Sequence, residues 1–182
     1  MNHLVIAPLL VPLLAGIALI LLRASATRAH RALSGAAVLA LAILALTLLL
    51  QVSDGDVLVY RLGNWPAPFG IVLVADRLAA VMVLITALLA ASVVLYAARG
   101  ADRAGRYFHV LFQLQLFGLN GAFLTGDLFN LFVFFEVLLI ASYGLLLHGG
   151  GAERTRAGLH LSLIHISEPT RPFTLSRMPS SA

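Results

Sequence analysis

The feature that most constrains this chain is a series of apolar runs, each about 20 residues long and separated by short polar connections. A helix of about 20 apolar residues crosses the roughly 30 Å hydrocarbon core of a bilayer. The sequence therefore predicts an all-α integral membrane protein with about five transmembrane helices. We expect them over residues 4–22, 32–50, 76–98, 107–124 and 127–147.

Composition supports the bilayer as the surrounding solvent. Hydrophobic residues make up 60% of the chain and charged residues 11%, whereas soluble domains carry about 25% charged residues. The chain has no cysteine, which excludes disulfides and thiolate-bound metal clusters. No nucleotide-binding or hydrolytic motif occurs. We therefore expect no cofactor, no bound metal, no nucleic-acid partner and no enzymatic activity of the chain itself.

All 12 basic residues are arginines, and their distribution predicts the orientation. If five spans alternate, most arginines fall in connections on one side of the membrane, which by the positive-inside rule is the cytoplasmic side. The amino terminus is then outside, and we expect a multi-pass protein of the inner (plasma) membrane. The arginines on the cytoplasmic side are Arg23, Arg28, Arg31, Arg99, Arg103, Arg106, Arg154 and Arg156, against Arg61 and Arg77 on the other.

Two connections differ from the rest. Residues 51–75 form the one long connection, whose Gly- and Pro-rich core we expect at the membrane interface, with Trp65 as an ordinary interfacial anchor. Only Thr125 and Gly126 separate the fourth and fifth spans. These two spans are therefore predicted to form a tight antiparallel hairpin.

Glu136 is the most informative residue, because it lies near the middle of the fifth span. A carboxylate at that depth is costly, and intramembrane acids commonly mark proton or ion paths. Its neighbours in the same helix are apolar, so a polar partner has to come from another helix. The alternatives are a purely structural hydrogen bond between helices and a permanently protonated acid.

A polar stripe on the fourth span is the second candidate. His109, Gln113 and Asn120 fall on one helical face at about 100° per residue. One interpretation is a hydrated proton path beside Glu136, in which His109 titrates near neutral pH. The other is that Gln113 and Asn120 hold helices together by hydrogen bonds and His109 is simply solvated.

Two further acids and a set of small residues have structural interpretations. Asp76 and Asp127 stand at the starts of spans, where capping of free backbone N–H groups is favoured over an ion-ligand role. The residues predicted to allow close helix packing are Gly118, Gly121, Ala141 and Gly144.

The segments 63–70, 75–78, 105–109 and 118–144 resemble the D-type subunit of the Mrp-type cation/proton antiporters, a homologue of the antiporter-like subunits of respiratory complex I. The resemblance covers residues 1–160. It implies a fragment of a 14-span fold built on two inverted five-helix repeats. It also implies that Glu136 is the family's functional glutamate of span five, whose partner is a lysine on span seven. This chain contains no lysine.

The resemblance implies proton translocation within a multisubunit Na⁺(K⁺)/H⁺ antiporter, with other subunits as partners and protons and Na⁺ or K⁺ as transported ions. This chain alone would be inactive. The first alternative is a proton-pumping membrane subunit of a complex I-like oxidoreductase or a membrane hydrogenase. The second is a membrane scaffold that transports nothing.

Residues 161–182 differ from what precedes them, because a Pro- and Ser-rich stretch replaces the expected next span. Residues 161–171 and 176–182 resemble the translation of a transposase-type sequencing-library adapter and its following arm. We therefore expect two parts: residues 1–160, from the amino-terminal part of the membrane domain, and a non-native tail over residues 161–182.

Overall fold

A computed structural model describes residues 3–22, 27–64, 70–105, 107–151 and Arg156. Five α-helices account for most of this part, and the predicted all-α class is confirmed. They are α1 (Ala7–Leu21), α2 (Thr27–Gln51), α3 (Arg77–Ala97), α4 (Phe108–Leu124) and α5 (Leu128–Leu146).

The helices differ in how well they match the thickness of a bilayer. α2, α3 and α5 are long and apolar enough to cross a membrane. α1 and α4 are also apolar but shorter, with 15 and 17 residues, which corresponds to roughly 22 and 25 Å. Large side chains such as Leu21, Leu78 and Leu128 are exposed on the outside of the bundle. An apolar outer surface of this kind fits hydrocarbon and not water.

α4 is the central helix of the bundle. It packs against α1 and α5 and also contacts α3, while α2 packs against α3 and α1. The buried core includes Leu41 and Leu48 of α2, Val83 of α3, and Phe112 and Leu124 of α4. The candidate site residues of the sequence analysis therefore lie on α4 or on α5, which packs against it.

A small β-hairpin covers one end of the bundle, which we call the strand end. Its strands are β1 (Leu58–Arg61) and β2 (Val72–Ala75), paired antiparallel with Leu58 opposite Ala75. β2 also joins the turn between α4 and α5, where the Gly126 N–H donates to the Val72 carbonyl at 2.9 Å. The sequence predicted only an interfacial connection here. Strands of four residues are too short to show a reliable alternation, and tertiary pairing fixes them.

The opposite end, which we call the arginine end, holds the start of α2 and the connection between α3 and α4. That connection contains a 3-10 turn at Ala101–Ala104. α2 begins at Thr27, five residues before the predicted start at 32, because hydropathy marks the apolar part of a helix and not its hydrated first turns. The longer helix places His30 and Arg31 within α2.

The local predictions for helix ends and helix contacts are confirmed. Asp76 accepts a hydrogen bond from the Ala79 N–H at 2.7 Å, and Asp127 accepts one from the Phe129 N–H at 3.1 Å. Gly118 lies against the backbone of Leu138. The α4–α5 hairpin is as tight as expected, since three residues separate the two helices. The residues at close α4–α5 contacts are Gly118, Gly121 and Gly144, and Ala141 of α5 is fully buried.

Trp65 and the whole of residues 161–182 lie outside the described residues. The interfacial position of Trp65 and the foreign origin of the tail therefore stay predictions.

Replacing Gly121 by alanine should loosen the α4–α5 contact. A methyl group at this position would overlap the Phe134 ring, and forcing extra volume into a packed contact costs about 1–3 kcal/mol. Gly35 is a matched control on α2, because an added methyl there meets nothing within 4 Å. We expect Gly121→Ala to lower the thermal unfolding midpoint of the chain in lipid nanodiscs and Gly35→Ala to leave it unchanged or raise it. Equal midpoints for the two variants would contradict this packing.

Candidate functional site

Glu136 lies on the side of α5 that faces away from α4. The residues of α5 that meet α4 include Phe134 and Leu138, about 160–200° around the helix from Glu136 at 100° per residue. Glu136 itself is exposed, and Phe132 and Ile140 beside it are exposed as well. The carboxyl group thus sits in an apolar, uncovered strip at mid-helix.

Within the described ranges, no hydrogen bond or ion pair involves the Glu136 side chain. The expectation that a polar partner comes from another helix therefore stays a prediction. A carboxylate that faced lipid at this depth would carry a large desolvation penalty. The strip around Glu136 therefore has the character of a surface that other protein covers.

His109, Gln113 and Asn120 are all buried, and they face α1 and α2. Gln113 donates to the Ser34 hydroxyl of α2 at 3.1 Å. Asn120 donates to the Pro8 carbonyl of α1 at 2.9 Å. The stripe is thus one face of α4, but the structure does not bring it beside Glu136, which lies beyond the opposite face. Gln113 and Asn120 hold helices together in the way the structural alternative predicted.

His109 belongs to a charged cluster at the arginine end. Its Nε2 atom lies 3.3 Å from Oδ2 of Asp102 in the α3–α4 connection. Asp102 in turn accepts two hydrogen bonds from Arg31 of α2, from Nε at 2.6 Å and from Nη2 at 2.7 Å. The His30 ring of α2 is 6.4 Å from the His109 ring, centroid to centroid. This bidentate pairing with Arg31 holds the Asp102 carboxylate in a fixed orientation.

The electrostatics of Asp102 follow from these contacts. The hydrogen bond from Arg31 lowers the pKa of the Asp102 carboxyl below its ordinary value, burial opposes the shift, and His109 adds to it. Asp102 therefore remains a carboxylate at neutral pH although its side chain is fully buried.

Neither Asp102 nor Arg31 was predicted from the sequence as a site residue. The available signal was charge: Asp102 is the one acid in a connection that carries Arg99, Arg103 and Arg106. Its pairing with Arg31, 71 positions earlier, depends on how α2 and α3 pack. Sequence spacing carries no information about that packing.

Three buried side-chain atoms have no hydrogen-bond partner among the described residues, and all three belong to α4. They are His109 Nδ1, Gln115 Oε1 and Asn120 Oδ1. Buried polar atoms are generally satisfied by protein or by ordered water. These three atoms therefore have hydrogen-bonding capacity that the described residues leave unused. In the same described part, no three acidic or histidine side chains converge as a set of metal ligands.

Comparison with known proteins shows that the chain is homologous to D-type subunits of cation/proton antiporters. It is 48% identical over 172 residues to the D-type subunit of a probable K(+)/H(+) antiporter of Rhizobium meliloti, covering 92% of this chain and 32% of that protein. It is 44% identical over 168 residues to the D-type subunit of the Na(+)/H(+) antiporter of Alkalihalophilus pseudofirmus, covering 91% of this chain and 34% of the relative. The chain thus spans about a third of the length of these relatives. No family model matches it.

Two solved structures share the fold. A chain of the Mrp complex from a Dietzia species superposes with a TM-score of 0.76 at 32% identity, over 91% of this chain and 32% of that one. A chain of the membrane-bound sulfane sulfur reductase, an archaeal respiratory membrane complex, gives a TM-score of 0.75 at 26% identity, over 90% and 34%. The described helices therefore have the arrangement found in multi-span subunits of membrane complexes.

Proposed function

We propose, from the premise that the chain is homologous to the D-type subunit of the Mrp-type cation/proton antiporters, that it forms part of a proton-translocating subunit of such a complex. The whole subunit, with its additional spans and its partner subunits, would exchange Na⁺ or K⁺ against protons. The part described here would supply the proton-carrying Glu136 and would transport nothing alone.

The observation that carries this proposal is the position of Glu136 on an apolar face that nothing in the described part covers. Covering that face with protein would desolvate the carboxyl group and favour its neutral form, whereas a nearby cation would favour the carboxylate. A lysine on a later span, as the family resemblance implies, would be that cation. Movement between these two environments would load and release a proton.

A membrane subunit of a respiratory complex is the second candidate. The fold match to the sulfane sulfur reductase complex favours it. The sequence match is weaker, however, at 26% against 48% and 44% for the antiporter subunits. Copurification of flavin or iron–sulfur subunits would favour the respiratory assembly, and their absence from an intact complex would favour the antiporter.

We further propose that the chain lies in the inner (plasma) membrane. Its strand end and amino terminus face outward, and its arginine end faces the cytoplasm. The charge asymmetry supports this orientation. In addition, residues 161–182 are proposed to be adapter-derived and foreign to the membrane domain of residues 1–160.

Glu136→Gln should abolish cation-coupled proton flux, because glutamine keeps the shape and hydrogen bonding but cannot ionise. Glu136→Asp keeps the charge on a shorter arm and should retain part of the flux. The measurement is cation-induced proton movement in everted vesicles that contain the complete complex, with immunoblots to confirm assembly. Asp56→Asn is the control, since it removes an exposed carboxylate outside the spans. Wild-type flux from an assembled Glu136→Gln complex would contradict the proposed role of Glu136 and would favour the alternative of a membrane scaffold.

The orientation predicts which introduced cysteines react with an impermeant maleimide in intact cells. The chain contains no native cysteine, and Asp56 and Ala101 are exposed at opposite ends. Asp56→Cys at the strand end should be labelled, and Ala101→Cys should be labelled only after the membrane is permeabilised. The reverse pattern would invert the topology.

The origin of residues 161–182 is tested by sequencing the locus from genomic DNA without adapter ligation. We expect the reading frame to leave the present sequence near His160 and to enter another apolar run. An uninterrupted frame through Ala182 would show that the tail is native.

A further inference from the structure

The α3–α4 connection is where three helices are tied together at the arginine end. Arg31 of α2 and His109 of α4 both contact Asp102 in this connection. His148, which follows α5, has its Nε2 atom 3.2 Å from the Ala101 carbonyl in the same 3-10 turn. The turn therefore links α2, α4 and the helix that carries Glu136.

The hydrogen bonds of His109 identify which ring nitrogen is free to bind a proton. A carboxylate only accepts hydrogen bonds, so the nitrogen facing Asp102 carries the hydrogen, which makes His109 the Nε2–H tautomer when neutral. Nδ1 then holds the lone pair. This atom is buried and has no partner among the described residues. A carboxylate that fixes one imidazole nitrogen in this way leaves the other as a base.

Exposure within the cluster indicates the route to water. The Asp102 side chain is fully buried and that of His109 is 6% exposed, whereas that of Arg31 is 24% exposed. Arg31 therefore forms the outer member of the cluster and lies between Asp102 and the aqueous phase. The other titratable groups facing this point are His30 on α2 and His148 beyond α5, and α1 carries no ionisable side chain.

We propose that His109 Nδ1 is a proton-binding site at the arginine end, with Asp102 and Arg31 as its positioning residues. The Nδ1 lone pair takes a proton from a hydronium ion, which leaves as water, and the reverse step restores the neutral ring. The imidazolium keeps its Nε2–H on Asp102, so one carboxylate then faces two cations. Protonation of His109 therefore weakens the ion pair between Asp102 and Arg31 and increases the exposure of the cluster to water. This site does not depend on transport, although as a proton entrance it would serve the proposed function.

The charges predict opposite effects for substitutions of the two positioning residues. Asp102→Asn removes the anion that stabilises the imidazolium, and Arg31→Gln removes the competing cation. At a pH where wild-type His109 is half protonated, Asp102→Asn should lower the ratio of charged to neutral His109 about tenfold, and Arg31→Gln should raise it. Arg31→Lys keeps the charge and should stay close to wild type.

The measurement is ¹⁵N NMR of histidine ring nitrogens in the full chain in lipid nanodiscs between about pH 5 and 8. His109→Gln assigns the resonances. His3, which contacts Tyr60 at the strand end, is the internal control for folding, and its resonances should be the same in all variants. Opposite shifts of the His109 titration with an unchanged His3 would support the site.

Two outcomes would overturn the proposal: His109 that stays neutral over the whole range, or charge substitutions that shift His109 in the same direction. Because this readout needs no cation flux, it is independent of the Glu136 test. If His109 binds a proton but the complex still transports after Glu136→Gln, the proposed proton site is supported and only the transport proposal is contradicted.

Discussion

The cost of placing charge in hydrocarbon determines where the polar groups of the described chain lie. Its arginines and aspartates are confined to the helix ends and connections, where Asp76 and Asp127 cap α3 and α5 and Asp102 pairs with Arg31. The buried amides of α4 are directed at neighbouring helices. Glu136 is the one acid at mid-helix in the described part, on a face that this part leaves uncovered. The proposed covering surface and the proposed ionisation switch both rest on that position.

α4 separates two environments. One face presents Gly118 and Gly121 to α5, which allows the helix that carries Glu136 to pack closely. The other face presents His109, Gln113 and Asn120 to α1 and α2, and two of its buried atoms, His109 Nδ1 and Asn120 Oδ1, have no partner among the described residues. The proton-binding His109 and Glu136 are thus on different sides of α4. Two kinds of contact link the His109 cluster to the helix that carries Glu136: the direct packing of α4 on α5 and the turn that also contacts His148.

Sequence patterns predicted whatever depends on local physics. Apolar runs indicated the five helices, the aspartates at span starts indicated the caps, and the small residues indicated the close α4–α5 contact. Features that depend on tertiary packing were not predictable in this way. Residues 58–61 and 72–75 form strands because they pair with each other and with the α4–α5 turn. The Arg31–Asp102 pair and the side of α4 on which the polar stripe lies follow from how α1, α2 and α5 surround it.

The proposed role of Glu136 in proton coupling depends on its protonation state in the intact complex. Infrared difference spectra of the intact complex, recorded while pH is varied, resolve the C=O stretch of a protonated carboxyl group. The account predicts a band that disappears as pH rises and is missing from the Glu136→Gln complex at every pH. A band that is insensitive to pH, or wild-type and Glu136→Gln spectra that are identical throughout, would contradict it.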